Sequence, residues 1–257
     1  MLQEKIKLYV ESSEYTEKAK SIANKLKVGI INDEKSIKDE DLILKLGSNG
    51  LSLINKNMIL HGDFTKNMKR LSPNKIQSEL LIKASKIKGK KEDLIAVDAT
   101  AGLGEDSLLL ATAGFKVYLY ENNPIIALLL KDTIKRAKKV PELEEIVCKM
   151  EVIEEDSIKA MKELDFKPDI ILLDPMFPER KKSALVKKKF QLLHFIESPC
   201  TDEGEMLEAA ISAKPHKIVI KRPLKGEWLA NRKPDYSLKG KSIRYDCIIL
   251  NHNNILG

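Results

Sequence analysis

The segment Asp98-Ala99-Thr100-Ala101-Gly102-Leu103-Gly104-Glu105-Asp106 joins an apolar run, Leu94 to Val97, to the start of a helical pattern. Glycines at such a junction let the backbone turn sharply and approach a ligand, whose polar groups meet the free N–H groups of the helix start. The ligand implied is nucleotide-like. A dinucleotide fingerprint needs a third glycine where this chain has Ser107, which weighs against NAD without removing it. A tight strand-to-helix turn without any ligand is the plain alternative. Glu121 lies 17 residues beyond Gly104 at the end of the next strand pattern. A carboxylate there stands beside the glycine loop and accepts the hydroxyl hydrogens of a ribose. Asp156, after a third strand pattern, is placed to accept from an adenine amine or to cap the helix that follows. Three acidic strand ends, Asp98, Glu121 and Asp156, suit an adenosine bearing a sulfonium and an ammonium group, the chemistry of S-adenosylmethionine.

A fourth strand pattern runs into Asp174-Pro175-Met176-Phe177-Pro178. The lone pair of an aromatic exocyclic amine is delocalised into its ring. Hydrogen bonds from its N–H groups to Asp174 and to the Pro175 carbonyl favour a pyramidal, nucleophilic nitrogen, and Phe177 stacks on the base. That chemistry needs neither a metal nor a covalent nucleophile; the alternative is a proline-rich turn with a core phenylalanine. Arg180, Lys181, Lys182, Lys187, Lys188 and Lys189 follow at once and suit phosphate contacts that position RNA. Lys221 and Arg222, at the end of a further strand, are expected to face the same crevice. His61, His194, His216 and His252 are scattered and receive no catalytic role. Cys148, Cys200 and Cys247 show no metal-binding spacing and are expected to be buried or half-buried thiols. Trp228 reads equally as packing or as an RNA platform.

These residues require a parallel sheet to hold them. Strands are expected over Leu94–Asp98, Lys116–Tyr120, Ile146–Ile153, Ile170–Leu173, Lys217–Ile220 and Ile243–Leu250. Helices are expected over Asp106–Ala113, Pro124–Lys138, Leu185–Ile196 and Glu203–Ala213, with a short one from Ser157. Repeated strand–helix–strand units with continuously apolar strands predict a mostly parallel sheet covered on both faces, closed by an antiparallel pair. One helix is expected between the Ser72-Pro73 start and the Gly89 stop. Ahead of it, strands over Lys5–Val10, Val28–Ile31, Leu42–Leu46 and Leu51–Leu60, the last broken at residues 55–57, and a helix capped by Ser13, form a small α/β unit. The expected domains are 1–65 and 66–257.

Composition is consistent with this. At 43% hydrophobic and 32% charged residues, the 257-residue chain has enough apolar material for a core, which weighs against global disorder. Its longest apolar stretch, Pro124 to Leu130, is far below the roughly 20 residues of a membrane span, and the N-terminal segment lacks a secretory signal pattern, so a cytoplasmic location is expected. The net charge is +7. From Glu179 to Arg244 there are 16 Lys and Arg against 8 Asp and Glu, while the rest of the chain holds 29 against 30. The basic excess is therefore local, as a polyanion partner requires, although a solvated face gives the same count.

VDATAGLGED (97–106), LYENNP (119–124), LDPMFPERKKSALVKK (173–188) and IVIKRP (218–223) together resemble the J-type methyltransferases that modify the N2 amine of a guanine in 16S rRNA. The resemblance runs from about Ser72 to Leu250. It implies a Rossmann-like class I methyltransferase fold, an S-adenosylmethionine cofactor, no metal, and 16S rRNA or the small ribosomal subunit as partner. It also implies cofactor contacts at Glu105, Asp106, Glu121, Asn122, Asp156, Ser157 and Asp174, to be set beside Asp98, Gly102 and Gly104. This family commonly has Arg in place of Glu105 and Asn122, and Ser in place of Asp156. Methylation of another base amine such as adenine N6, an NAD-dependent oxidoreductase and a noncatalytic RNA-binding protein are the alternatives.

Overall fold

The computed structural model describes residues 6–33, 37, 41–56, 58–175, 192 and 202–250. The small unit consists of β1 (Ile6–Val10), α1 (Thr16–Leu26), β2 (Gly29–Ile31), β3 (Leu42–Gly47), β4 (Gly50–Asn55) and β5 (Met58–Leu60). Its five strands are ordered β2-β1-β3-β4-β5, with β1 parallel to both neighbours and β3 to β5 forming an antiparallel meander. Alternation in β1 buries Ile6, Leu8 and Val10. Ser13 does not cap α1: it begins a 3-10 turn, Ser13–Tyr15, and its carbonyl accepts the Thr16 hydroxyl.

Three short helices follow, α2 (Met68–Leu71), α3 (Pro73–Ile76) and α4 (Leu80–Ser85), the last two in place of the single helix expected between residues 72 and 89. The interruption is at Glu79, whose backbone is extended and whose carboxylate takes both Arg70 Nε and Nη2 at 2.9 Å. A bidentate ion pair thus fixes a bend that helical periodicity does not reveal.

The large unit contains β6 (Ile95–Asp98), α5 (Glu105–Thr112), β7 (Lys116–Tyr120), α6 (Pro124–Ala137), α7 (Pro141–Val147), β8 (Met150–Ile153), α8 (Ser157–Lys162), β9 (Ile170–Leu173), α9 (Glu203–Ser212), β10 (Lys217–Pro223), β11 (Tyr236–Lys239) and β12 (Ile243–Ile249). Its sheet runs β11-β12-β10-β9-β6-β7-β8. The five strands from β8 to β10 are parallel, and β12 is antiparallel to both β10 and β11. This is the α/β architecture expected from the sequence, a mostly parallel sheet with an antiparallel last strand. Two elements differ. Residues 146 and 147 belong to α7, which Pro141 opens and which buries Leu143 and Val147 four residues apart. The edge strand β11, only four residues long, was not anticipated.

Leu103 of the glycine loop and Ile125, Ile126 and Leu129 of α6 share an apolar cluster with Leu8, Leu26, Leu44 and Leu53 of the small unit. Beside them, Asp132 of α6 accepts from Lys18 Nζ (2.7 Å), Leu51 N (2.9 Å) and Arg136 Nε (2.9 Å), and Arg136 Nη2 donates to the Gly62 carbonyl at 2.6 Å. The expected boundary at 65/66 falls inside the 3-10 turn Phe64–Asn67, whose Phe64 is buried in the larger core. Of the cysteines, Cys247 is buried, Cys148 is exposed, contrary to expectation, and Cys200 lies outside the described residues. Helix α7 carries the chain out to the surface ahead of β8, which accounts for Cys148. No helix among the described residues is long and apolar enough to cross a membrane.

Candidate active site

Because β6, β7, β9 and β10 are parallel, their carboxyl ends share one edge of the sheet. The chain continues from β6 to β7 and β8 on one side, while β9 and β10 lie on the other. The switch point between β6 and β9 is where open α/β sheets leave a ligand crevice. Asp98 ends β6, and Asp174 follows β9 directly. They are joined through Thr100, whose Oγ1 accepts the Asp174 N–H at 2.7 Å.

The loop after β6 is held in a conformation that favours glycine. Gly102 and Gly104 have φ of 52° and 75°. A Cβ on Gly104 would come within 2.7 Å of Leu130 Cδ1, so this glycine also permits the loop to pack on α6. A Cβ on Gly102 would meet nothing within 4 Å, so open space lies beside that backbone. Gly104 precedes α5 without a side-chain cap. Glu105 is exposed and Asp106 half-buried in the first turn, where negative charge suits the helix dipole.

Asp98 is 1% exposed, accepts the Ser107 hydroxyl and the Thr100 N–H, and is pushed by burial to a pKa of about 6. Ser107, at the third-glycine position, is thus the hydrogen-bond partner of the first strand-end acid, a role that the glycine pattern alone could not disclose. Glu121, 7% exposed, accepts from Gly102 N (3.1 Å) and Asn123 N (2.8 Å), and burial raises its pKa to about 7. It ties the glycine loop to the turn after β7. Asn122 is exposed beside it, and Asn123 caps α6 through Ile125 N and Ile126 N. Asp156 is exposed and caps α8 through Ile158 N (2.8 Å) and Lys159 N (3.2 Å), with Ser157 as the first residue of that helix. The capping alternative for Asp156 is therefore realised.

Pro175 is buried and Asp174 keeps 40% of its side-chain surface. The surrounding protein raises the Asp174 pKa by desolvation, and Lys221 opposes that rise. Lys221 Nζ lies 2.7 Å from Asp106 Oδ2 and 2.9 Å from Asp174 Oδ2, so it is engaged by two carboxylates at the site. Arg222 does not face the crevice with it. Neighbouring strand residues point to opposite faces, and Arg222 is 5% exposed, with its Nε donating to the Glu227 carbonyl at 2.8 Å and its guanidinium beside Glu203. That placement does not suit the expected RNA contact. Trp228 is 42% exposed. Phe177, Arg180, Lys181, Lys182, Lys187, Lys188 and Lys189 lie outside the described residues, as does the expected helix Leu185–Ile196 apart from Leu192.

The donor set fits S-adenosylmethionine. Buried carboxylates at Asp98 and Glu121 and a third at Asp174 offer anionic and acceptor groups to a cationic, ribose-bearing ligand, and the open space at Gly102 admits it against the loop backbone. Among the described residues no group of His, Cys, Asp and Glu is arranged to hold a metal ion.

A family model described as "Putative SAM-dependent methyltransferase" matches residues 27–250. The ribosomal RNA small subunit methyltransferase J of Nitrosococcus oceani is 43% identical over 159 residues, 61% of this chain and 62% of that protein. The chain's match thus spans about three fifths of that relative's length. The protein of the same name from Thioalkalivibrio sulfidiphilus is 34% identical over 253 residues, 95% of this chain and 98% of the relative. Among solved structures, a SAM-dependent methyltransferase from Neisseria gonorrhoeae aligns over 95% of both chains with a TM-score of 0.72 and 26% identity.

Proposed function

The chain belongs to the SAM-dependent methyltransferase family, and from that premise we propose that it methylates the exocyclic N2 amine of a guanine in 16S rRNA. The observation that carries this reading is the pair of strand-end carboxylates, Asp98 and Asp174, joined through Thr100 at the switch point of the sheet. When bound, S-adenosylmethionine supplies an electrophilic methyl group. Glu121 accepts from the ribose hydroxyls, and Asp98, Gly102, Gly104, Glu105, Asp106, Asn122, Asp156 and Ser157 line the remainder of that ligand's site. Asp174 and the Pro175 carbonyl accept the N–H groups of the target amine and turn its lone pair out of conjugation, while Phe177 stacks on the base. The surplus proton of the methylated nitrogen leaves along its hydrogen bond to the Asp174 carboxylate.

Arg180, Lys181, Lys182, Lys187, Lys188 and Lys189 hold RNA phosphates in this reading, and the small ribosomal subunit in the cytoplasm is the partner. The relatives named for small-subunit rRNA methylation support the choice of RNA. Residues 1–65 form a separate domain that braces α6. The test is transfer of labelled methyl from S-adenosylmethionine to purified small-subunit RNA and particles, followed by nucleoside analysis. N2-methylguanosine is the expected product. Label in N6-methyladenosine, or S-adenosylhomocysteine binding without transfer to any RNA, would overturn the assignment.

A further inference from the structure

We propose that Lys221 is a positioning residue of the methyl-transfer site, holding Asp174 as the acceptor for the target amine and tying it to the helix after the glycine loop. This rests on the reading that Asp174 receives that amine. The geometry is a single ammonium shared by two carboxylates, 2.7 Å to Asp106 and 2.9 Å to Asp174. Asp106 belongs to α5 and Asp174 to the turn after β9, so one β10 side chain fixes the relative placement of the two walls of the crevice. A carboxylate has two oxygens, and the ammonium engages Oδ2 of Asp174.

The need for such a cation follows from its surroundings. Asp98 faces this cluster from β6, Asp106 from α5, and Tyr245 from β12, where it pairs directly with Lys221 across the sheet. Arg222 acts on Asp174 from the same strand, but it is buried beside Glu203. Arg70 is bound to Glu79 and acts on Asp106 and Tyr245 through its field. Lys221 is therefore the cation in direct contact with Asp174 among the described residues. Without it, burial and the charge of Asp106 would favour protonation of Asp174. A protonated carboxyl presents an O–H toward the amine and loses acceptor strength. A cation with one quarter of its side chain exposed and both of its partners in the site is also poorly placed to serve as a phosphate contact.

The test compares Lys221→Met, Lys221→Arg and Asp106→Asn in the full-length protein. Carbon-13 NMR of the Asp174 carboxyl, read without RNA, should show its titration moving upward in Lys221→Met and returning toward wild type in Lys221→Arg. In Asp106→Asn it should move downward, because a repelling neighbour is gone and the ammonium turns wholly to Asp174. With RNA, Lys221→Met should lower kcat by roughly tenfold to a hundredfold, the range expected of lost positioning. The acid limb of its pH profile should rise, and the salt dependence of RNA affinity should stay that of wild type. An Asp174 titration that ignores these substitutions overturns the proposal. So does a Lys221→Met protein with full kcat but weaker RNA binding and a flatter salt slope, which is the signature of a phosphate contact. If Asp174 shifts as expected while the wild-type protein transfers no methyl to RNA, the hold of Lys221 on Asp174 stands and the substrate assignment fails.

Discussion

Among the described residues no cation touches the buried carboxylates of Glu121 and Asp98, and desolvation raises their pKa values to about 7 and about 6. Below the unfolded values of 4.5 and 3.8 both states are protonated; as pH rises, the unfolded chain ionises first and gains relative to the fold. Stability therefore falls as pH climbs from roughly 4 to 7, by on the order of 3 kcal/mol for Glu121. Denaturant midpoints at pH 5 and 7.5 should show that fall, and Glu121→Gln should flatten it. Glu121→Ala should weaken S-adenosylhomocysteine binding by on the order of 1.5 to 3 kcal/mol, read by calorimetry; an unchanged dissociation constant in the folded variant removes Glu121 from the site. The sequence announces these acids because each stands where an apolar strand pattern ends. Thr100, Ser107 and the pairing of Lys221 were not legible, since each acquires its role from a residue on another element. Arg222 was misread because a strand pattern does not reveal which of two adjacent cations turns inward.

Asp156 separates local from tertiary roles at the scale of an element. As the cap of α8, its replacement by alanine should cost about 1 kcal/mol, while Asp156→Asn, an equally good cap, should leave thermal stability near wild type. Equal losses in the two variants would show that the charge, and not the cap, carries the effect. The parallel strands were legible because β9 and its neighbours are short and apolar throughout, as strands covered on both faces must be. The break at Glu79 was hidden because Arg70 creates it from another helix. The strand pattern begins at Ile146 because Ile146 and Val147 are β-branched, yet Pro141 and the spacing of Leu143 and Val147 make both the last turn of a helix.

The two sheets meet across α6, where Asp132 gathers Lys18, Leu51 N and Arg136. Asp132→Ala should leave the buried Leu51 N–H without its acceptor, at a cost of roughly 1 to 3 kcal/mol, and hydrogen exchange should accelerate first in β4. Because these partners lower the Asp132 pKa, its contribution is present at neutral pH and lost as pH falls through the folded value. Unchanged exchange in β4 would mean that the apolar cluster alone holds the units together. The whole molecule thus sets a small sheet against the helix that follows Glu121, behind the crevice that Asp98 and Asp174 border. The claim on which everything else depends is the identity of that amine. Mass spectrometry of small-subunit rRNA nucleosides from cells lacking this protein measures it directly. One N2-methylguanosine should disappear, returning with the wild-type chain and not with Asp174→Ala; an undiminished N2-methylguanosine content, or the loss of a different methylated base, would contradict the account.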